Sequence, residues 1–333
     1  MADVTIVMYH YVRDLARSRF PRIKGLSTER FRCQLDAIQA SYTVVSMGDV
    51  IGAVSGGDSL PTDACLLTFD DGYSDHFRVV LPELLARGLT GSFFPPVRPV
   101  VERVLLDVNK VHFVLAATDD PSHLVVELRE LYVIHDLARE TGISFDHHFH
   151  TLAHADRFDT AEVIFVKRFL QHALPEAWRE RIADTLFAAH VSADPKSFAD
   201  DLYLAESDLA ELIDHGMYVG SHGYSHVFLD KEPFDRQVRE IDQSLGLLER
   251  VGAPTRAWAM CYPFGAYNDD TLAILSARGC AIGLTTRPAR ANIVTDPPLE
   301  LPRLDTNDMP FAVSSADHRE PLASPKRASR HLN

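Results

Sequence analysis

The sequence predicts an α/β fold built from repeated βα units, which form a parallel sheet or a barrel. Short apolar runs of the length of buried strands recur along the chain. Helical patterns that end in glycine lie between several of these runs, at residues 76–88, 206–216, 235–252 and 268–279. A strand, then a helix, then another strand is the order expected of parallel βα units.

Each predicted strand is an apolar run that could be buried on both faces. In chain order the runs are VTIVMYH, YTVVS, ACLLTFDDG, GSFFPP, MYVGSH, AWAMCYPFG, AIGLTT and LELPRLD. The helices end at Gly88, Gly216, Gly252 and Gly279, because glycine adopts the left-handed conformation that closes a helix. Asn268 is a candidate N-cap of the last helix.

The βα order stops in the middle of the chain, where the patterns are mostly helical. We therefore predict one domain of βα units, a parallel sheet or barrel, from residues 1–95 and 204–313, interrupted by a helical insertion at residues 96–203. An insertion on the active-site side of a barrel is well placed to be a lid over the substrate, and its apolar faces could also pack on a second subunit. Residues 314–333 have little apolar content and predict a mobile tail.

Composition restricts the possible partners. The chain has 333 residues, of which 46% are hydrophobic, so it can bury a sizeable core. Its formal net charge of −14 repels nucleic acids and anionic membranes, so neither is an expected partner. The four cysteines are far apart in sequence and are expected to be reduced thiols. No apolar run is long enough to span a membrane, and the N-terminus lacks the pattern of a signal peptide, which predicts a cytoplasmic protein.

Two adjacent carboxylates, Asp70 and Asp71, follow the apolar run that begins at Ala64. In a barrel of parallel strands the carboxyl ends of the strands form the active site. Neighbouring residues of a strand point in different directions, so one carboxylate can bind a cation while the other faces the reacting water. The alternative is that the two residues cap the helix that follows.

Two histidines, His222 and His226, follow another apolar run, and their spacing of four suits a helical turn or a compact loop that offers both imidazoles to one metal. With Asp71 they would make a ligand set that leaves positions open for water and substrate. Zinc suits this set, and so do cobalt, nickel, manganese and ferrous iron. A third motif, YPFG, places Phe264 at a strand end, where a backbone N–H can face an oxyanion.

The motifs TFDDGY, SHGYSH and YPFG resemble the first three motifs of the NodB-like polysaccharide deacetylases, carbohydrate esterase family four. The resemblance covers the first 95 residues and residues 204–308. It implies a distorted (β/α) barrel and a metal-dependent amide hydrolase. It also implies Asp71, His222 and His226 as metal ligands, Asp70 as the general base and the Phe264 N–H as the oxyanion donor.

Two family features are replaced. Where the family has an arginine before its third motif, this chain has Cys261, which we interpret as a small buried residue. Arg303 could orient Asp70 instead, bind substrate, or pair with Asp305. The family's late histidine, the general acid, has no match, since His318 lies in the predicted tail. His10 is a candidate acid, or a histidine that is hydrogen-bonded beneath the site without transferring a proton.

Histidines also cluster in the insertion, at residues 147, 148, 150 and 154. They could form a second metal site, or they could be solvated or face the substrate.

The sequence therefore predicts a hydrolase, dependent on a divalent metal, that removes an N-acetyl or similar N-acyl group from a sugar. The expected substrate is cytoplasmic, such as a lipid-linked or nucleotide-linked sugar or a glycan being assembled for the cell surface. The alternatives are a hydrolase of another amide, such as a formyl group or a cyclic amide, and a glycan-binding protein that keeps the metal site without catalysis.

Overall fold

The computed structural model describes residues 3–57, 59–156 and 159–311. The strands are β1 (Asp3–Tyr9), β2 (Val12–Arg13), β3 (Leu26–Ser27), β4 (Thr43–Val44), β5 (Ala64–Asp70), β6 (Ser92–Phe94), β7 (Tyr218–Val219), β8 (Trp258–Cys261), β9 (Cys280–Leu284), β10 (Ala291–Asn292) and β11 (Leu304–Asp305).

The helices are α1 (Thr28–Ser41), α2 (Met47–Val54), α3 (Leu81–Ala86), α4 (Val97–Glu102), α5 (Asp107–Ala117), α6 (Pro121–Ile134), α7 (Leu137–Thr141), α8 (Phe145–Leu152), α9 (Ala161–Arg168), α10 (Glu176–His190), α11 (Pro195–Leu202), α12 (Glu206–Asp214), α13 (Phe234–Arg250) and α14 (Asp269–Ala277). One π-helical turn, His76–Val80, precedes α3, and another, Phe169–Ala173, follows α9. No helix in the described ranges is long and apolar enough to cross a membrane.

The strands form a distorted barrel of parallel pairings. β1 pairs with β5, β5 with β6, and β6 with β7. A bridge between Ser221 and Met260 leads from β7 to the β8–β9 pair, and a bridge between Leu284 and Leu301 leads from β9 towards β11. β11 pairs with β1 and completes the ring. This architecture confirms the predicted fold class.

All seven residues of β5 are buried, as expected for a strand covered on both faces. Phe69 of β5 stacks on Tyr9 of β1 and on Phe93 of β6, with ring centroids 5.0 and 4.9 Å apart. These aromatic contacts pack the carboxyl ends of three neighbouring strands together, directly beside Asp70.

The predicted helix ends are confirmed. The glycines that follow α3, α12, α13 and α14 have positive φ, between 65 and 79°. Asn268 caps α14, because its side chain accepts a hydrogen bond from the Thr271 N–H.

Residues 97–202, called the helical segment below, contain α4 to α11. Most of their buried apolar side chains, among them Phe113, Leu128 and Phe187, form one hydrophobic cluster. Tyr11 and Tyr73, which follow β1 and β5, belong to the same cluster. The helical segment therefore packs on the barrel at the carboxyl ends of these strands.

Candidate active site

The motif residues meet at the carboxyl ends of the strands, as parallel connectivity requires. Asp70 is the last residue of β5, and Asp71 follows it. Neither residue caps the helix that follows, whose first turn begins at His76 after Asp75. Within the described ranges six non-glycine residues have positive φ, and three of them are Asp71, His226 and Phe264, at 73, 56 and 58°. Such backbone strain is common at functional sites, where the surrounding structure enforces it.

The Asp71 carboxylate and two imidazoles converge on one point. Asp71 Oδ1 lies 3.2 Å from His222 Nε2 and 3.2 Å from His226 Nε2. The histidines lie on a compact loop and not on a helical turn, because Gly223 and His226 both have positive φ. His222 Nδ1–H donates to the Cys261 carbonyl at 2.8 Å, which fixes the ring so that Nε2 is the atom that faces Asp71.

This arrangement fits a divalent cation. Asp71 Oδ1 is buried and has no hydrogen-bond partner among the described residues. A carboxylate oxygen and two imidazole nitrogens that face one another at 3.2 Å repel unless a proton or a cation lies between them. Burial alone would raise the pKa of Asp71, but His222 and His226 hold it well below its usual value, so the carboxylate is ionised. Two nitrogens and one oxygen are a donor set that zinc takes in catalytic sites.

Arg303 forms a buried bidentate ion pair with Asp70. Its Nη1 donates to Asp70 Oδ1 at 3.0 Å, and its Nη2 lies 2.8 Å from Oδ2. Burial by itself would raise the pKa of Asp70, but the Arg303 guanidinium, followed by His222, lowers it to about 2. Of the three roles considered for Arg303, these contacts are those of a residue that orients Asp70, and Asp305 instead accepts from the Asn307 N–H.

Cys261 has more contacts than a small buried residue would need. Its thiol donates to Asp70 Oδ2 at 3.2 Å, and its carbonyl holds His222. The cysteine thus connects the carboxylate predicted as the base to one of the predicted metal ligands.

His10 follows β1 and is half-buried. It lies near the site, since a positive charge on it would lower the pKa of both Asp70 and Asp71. Its carbonyl accepts a hydrogen bond from His76 Nε2–H at 2.9 Å. The role of His10 as an acid stays a prediction.

Phe264 forms an aromatic wall beside the predicted metal ligands. Its ring stacks on Phe228 at 3.9 Å with the planes nearly parallel, and it meets the His226 ring edge to face at 4.5 Å. Gly265, the next residue, also has positive φ. The role of the Phe264 N–H as oxyanion donor likewise stays a prediction.

Sequence reasoning missed two buried residues that support the predicted metal ligands. Tyr73 O–H donates to Asp71 Oδ2 at 2.7 Å. Glu240 of α13 accepts from the backbone N–H groups of Tyr224 and Ser225, at 2.9 and 2.7 Å, and so holds the histidine loop. Tyr73 stands within the quoted TFDDGY motif, whereas nothing near Glu240 in sequence signals its contact.

A cavity of about 1050 Å³ opens beside the site. The barrel contributes His226, Phe228 and Phe264 to its lining, and the helical segment contributes Lys110 and Arg179 among others. The cavity is therefore shared between the two parts of the chain.

Two other predictions concern residues away from this site. The groups of potential metal ligands found in the described ranges include no histidine from residues 147–154. The predicted tail and His318 lie outside the described residues.

Comparison with known proteins shows similarity to one family. The sequence profile of the family described as polysaccharide deacetylase matches residues 157–282, which include the second and third motifs. A curated protein from Bacillus subtilis (strain 168), named putative polysaccharide deacetylase YxkH, is 29% identical over 97 residues. That match covers 29% of this chain and 34% of the relative, so it spans about a third of the relative's length.

Solved structures show the same fold. The deacetylase PplD of Streptococcus pyogenes, solved with acetate, has a TM-score of 0.57 and 17% identity, and the match covers 91% of this chain and 92% of that one. A de-N-acetylase from Aggregatibacter actinomycetemcomitans has a TM-score of 0.54 and 16% identity, with 91% and 94% covered. The family profile, the curated relative and the three motifs show that this chain is similar to the polysaccharide deacetylases, and the solved structures show that it has their fold.

Proposed function

We propose that this protein is a metal-dependent hydrolase that removes an N-acetyl or similar N-acyl group from a sugar. The observation that carries the proposal is the convergence of Asp71, His222 and His226 next to the ion-paired Asp70. A carboxylate that stays ionised beside a three-ligand metal site is the arrangement needed to activate water for attack on an amide.

Each residue has a defined part in this chemistry. When bound by Asp71, His222 and His226, a divalent cation, zinc in our proposal, polarises the amide carbonyl and acidifies the attacking water. Asp70 accepts the proton of that water, and Arg303 holds both oxygens of Asp70 in one orientation.

Two further groups act on the carbonyl and the leaving amine. The Phe264 N–H donates to the carbonyl oxygen as negative charge develops on it. The departing amine needs a proton, and His10 is the group that we propose to supply it, because it lies near both aspartates.

The cavity supports a small or terminal sugar as the substrate. A volume of about 1050 Å³ accommodates a short piece of glycan, and the stacked rings of Phe228 and Phe264 form an apolar wall of the kind that binds a sugar face. The helical segment lines the other side of the cavity. We extend the proposal to a cytoplasmic sugar precursor or a glycan under assembly, which cell fractionation and substrate profiling would test.

The first experiment measures metal content and acetate release together. Protein purified without chelators is analysed for bound elements and assayed on N-acetylated sugars and sugar nucleotides. The variants are His222→Ala/His226→Ala, which removes two ligands, and Asp70→Asn, which keeps the shape of the base but cannot take a proton. We expect about one metal per chain and acetate release in the wild type.

The variants separate the possible outcomes. The double histidine variant should lose both metal and turnover, whereas Asp70→Asn should keep the metal and lose turnover. Metal without acetate release would direct the search to formyl or cyclic amides, and tight glycan binding without any turnover would favour the binding protein. A wild-type protein that binds no metal after reconstitution would refute the mechanism.

A further inference from the structure

The Asp71 carboxylate is held by both of its oxygens. Oδ1 faces the two histidines, while Oδ2 accepts the hydrogen bond from Tyr73 O–H at 2.7 Å. A carboxylate can only accept, so the single phenolic proton of Tyr73 is committed to Asp71. Tyr73 therefore determines the plane of the carboxylate and which oxygen is presented to the histidines.

Tyr73 is in turn held by the helical segment. Asn109 of α5 is 1% exposed, and its Nδ2 donates to Tyr73 Oη and to Tyr11 Oη, each at 2.8 Å. The two tyrosine rings stack with centroids 3.9 Å apart, so one amide group bridges both phenols. The Tyr73 hydroxyl therefore has polar neighbours on both sides: Asp71, to which it donates, and the Asn109 amide with the Tyr11 hydroxyl.

A series of four hydrogen bonds leads from Leu106 to Asp71, and all four donate in the same direction. The Leu106 N–H donates to Tyr203 Oη, so the proton of Tyr203 is free to donate to Asn109 Oδ1. Asn109 then donates to Tyr73, and Tyr73 donates to Asp71. Because every donor in this series points towards Asp71, each hydrogen bond polarises the next. The Asn109 amide uses both of its protons and its oxygen in these contacts.

We propose that Asn109 is a positioning residue for the metal ligand Asp71 and that the helical segment thereby completes the metal site. The inference rests on the proposed function, because it takes Asp71 as a ligand. It adds a role for the helical segment besides lining the cavity: α5 fixes the ligand through Tyr73. Residues that orient metal ligands in this way commonly change metal affinity by about 10–100-fold when they are removed.

Metal binding to the purified protein tests the proposal without any assay of turnover. Each protein is freed of metal with a chelator, and its Zn²⁺ affinity is measured by competition with a chromophoric chelator. Its Co²⁺ complex is compared by visible absorption, which reports the ligand geometry. We expect Tyr73→Phe to lose affinity by about 10–100-fold and Asn109→Leu, of similar volume, by about tenfold, with altered Co²⁺ spectra in both.

A double variant and a matched control separate positioning from packing. If Asn109 acts through Tyr73, Tyr73→Phe/Asn109→Leu binds Zn²⁺ no more weakly than Tyr73→Phe alone. Tyr132→Phe is the control. Tyr132 lies in the helical segment and is as buried as Tyr203, each being 2% exposed, but its hydroxyl donates to the Ile143 carbonyl and not towards Asp71. The control should keep wild-type affinity and spectrum.

Tyr203→Phe covers the case in which Asn109→Leu does not fold. Like the control, it removes a single buried oxygen, but this oxygen belongs to the series of hydrogen bonds that ends at Asp71. We therefore expect weaker Zn²⁺ binding than in Tyr132→Phe. Wild-type affinities and spectra in both Asn109→Leu and Tyr203→Phe would overturn the inference and leave the proposed function intact. A wild-type protein without Zn²⁺ or Co²⁺ binding would overturn both.

Discussion

The buried pair of Asp70 and Arg303 offers the sharpest test of the site's energetics. Both side chains are almost fully buried, at 2% and 0% exposed, and two N–O contacts of 3.0 and 2.8 Å join them. We consider Asp70→Asn, Arg303→Met and the double variant, each measured without metal so that cation binding does not contribute. The three variants and the wild type form a double-mutant cycle.

The expected energy follows from burial and from the pKa. Lowering the pKa of Asp70 from 3.8 to about 2 corresponds to about 2 kcal/mol in favour of the ionised carboxylate. Removing one partner of a buried pair leaves an unpaired charge and typically costs about 3–5 kcal/mol. We therefore expect Arg303→Met to lower the free energy of unfolding by about that amount, and the double variant to lose less than the sum of the single variants by about 2 kcal/mol or more.

The dependence on pH distinguishes lost charge pairing from lost packing. In the wild type, the low pKa of Asp70 stabilises the fold above the unfolded value of 3.8, and this stabilisation is lost as the pH falls towards about 2. In Arg303→Met, the main group that opposes burial is gone and only His222 and His10 still oppose it, so we expect the pKa of Asp70 to rise above its unfolded value. Acidification from pH 7 to 5 should therefore reduce the deficit of the variant, by up to about 1.4 kcal/mol per pH unit.

Urea unfolding of the four proteins at pH 7 and pH 5 measures these quantities. Additive single-variant effects, to within about 0.5 kcal/mol, would show that the two side chains do not depend on each other. A deficit of Arg303→Met that is the same at both pH values would refute the argument that Arg303 keeps Asp70 ionised.

Three further predictions follow from buried groups near the site. Burial lowers the pKa of His76 to about 4, so as the pH falls below 6.5 this histidine is protonated in the unfolded chain before it is protonated in the fold. The free energy of unfolding should therefore drop by up to about 3 kcal/mol between pH 6.5 and 4. Urea unfolding of His76→Asn should show a shallower decrease over this range, and an unchanged decrease would contradict the assignment. Glu240→Ala removes the acceptor that holds the histidine loop and should weaken Zn²⁺ binding, measured by chelator competition, by about tenfold or more. Glu240→Gln keeps an acceptor oxygen and should bind Zn²⁺ more tightly than the alanine variant. Equal affinity of Glu240→Ala and wild type would exclude this role. Gly72 has φ of 63°, and a Cβ added there would lie 2.7 Å from that of Pro95, so Gly72→Ala should lower the free energy of unfolding by about 2 kcal/mol or more. The control Gly88→Ala has similar φ but open space around its Cβ and should cost less. Equal losses in the two glycine variants would refute the steric part of this argument.

The fold could be predicted from sequence because its signals are local. The run from Ala64 to Asp70 is apolar up to its end, and the whole run forms one buried strand. The glycines after four helices and the N-cap Asn268 are also local features, and each lies where the pattern placed it. β7 is shorter than its apolar run because only two of its residues pair with β6, which depends on tertiary packing.

The candidate site could be predicted only where a motif gathers its residues. Asp70 and Asp71 are adjacent, and the two histidines are four apart, so spacing alone groups them in pairs. Arg303 lies 233 residues from Asp70, and its contact was one of three alternatives that sequence could not separate. Asn109 lies 36 residues from Tyr73 in a part of the chain without any family motif, so no pattern could indicate that the two side chains meet.

The position of Arg303 links the completion of the barrel to the ionisation of Asp70. Arg303 directly precedes β11, the strand that closes the ring against β1 near the end of the described chain. A chain that ends before Arg303 lacks both the pairing of β11 with β1 and the guanidinium that keeps Asp70 ionised. During synthesis, therefore, the Asp70 carboxylate gains Arg303 only after β11 has been made and has docked on β1, so a chain truncated before β11 lacks the ion pair that keeps the proposed base ionised.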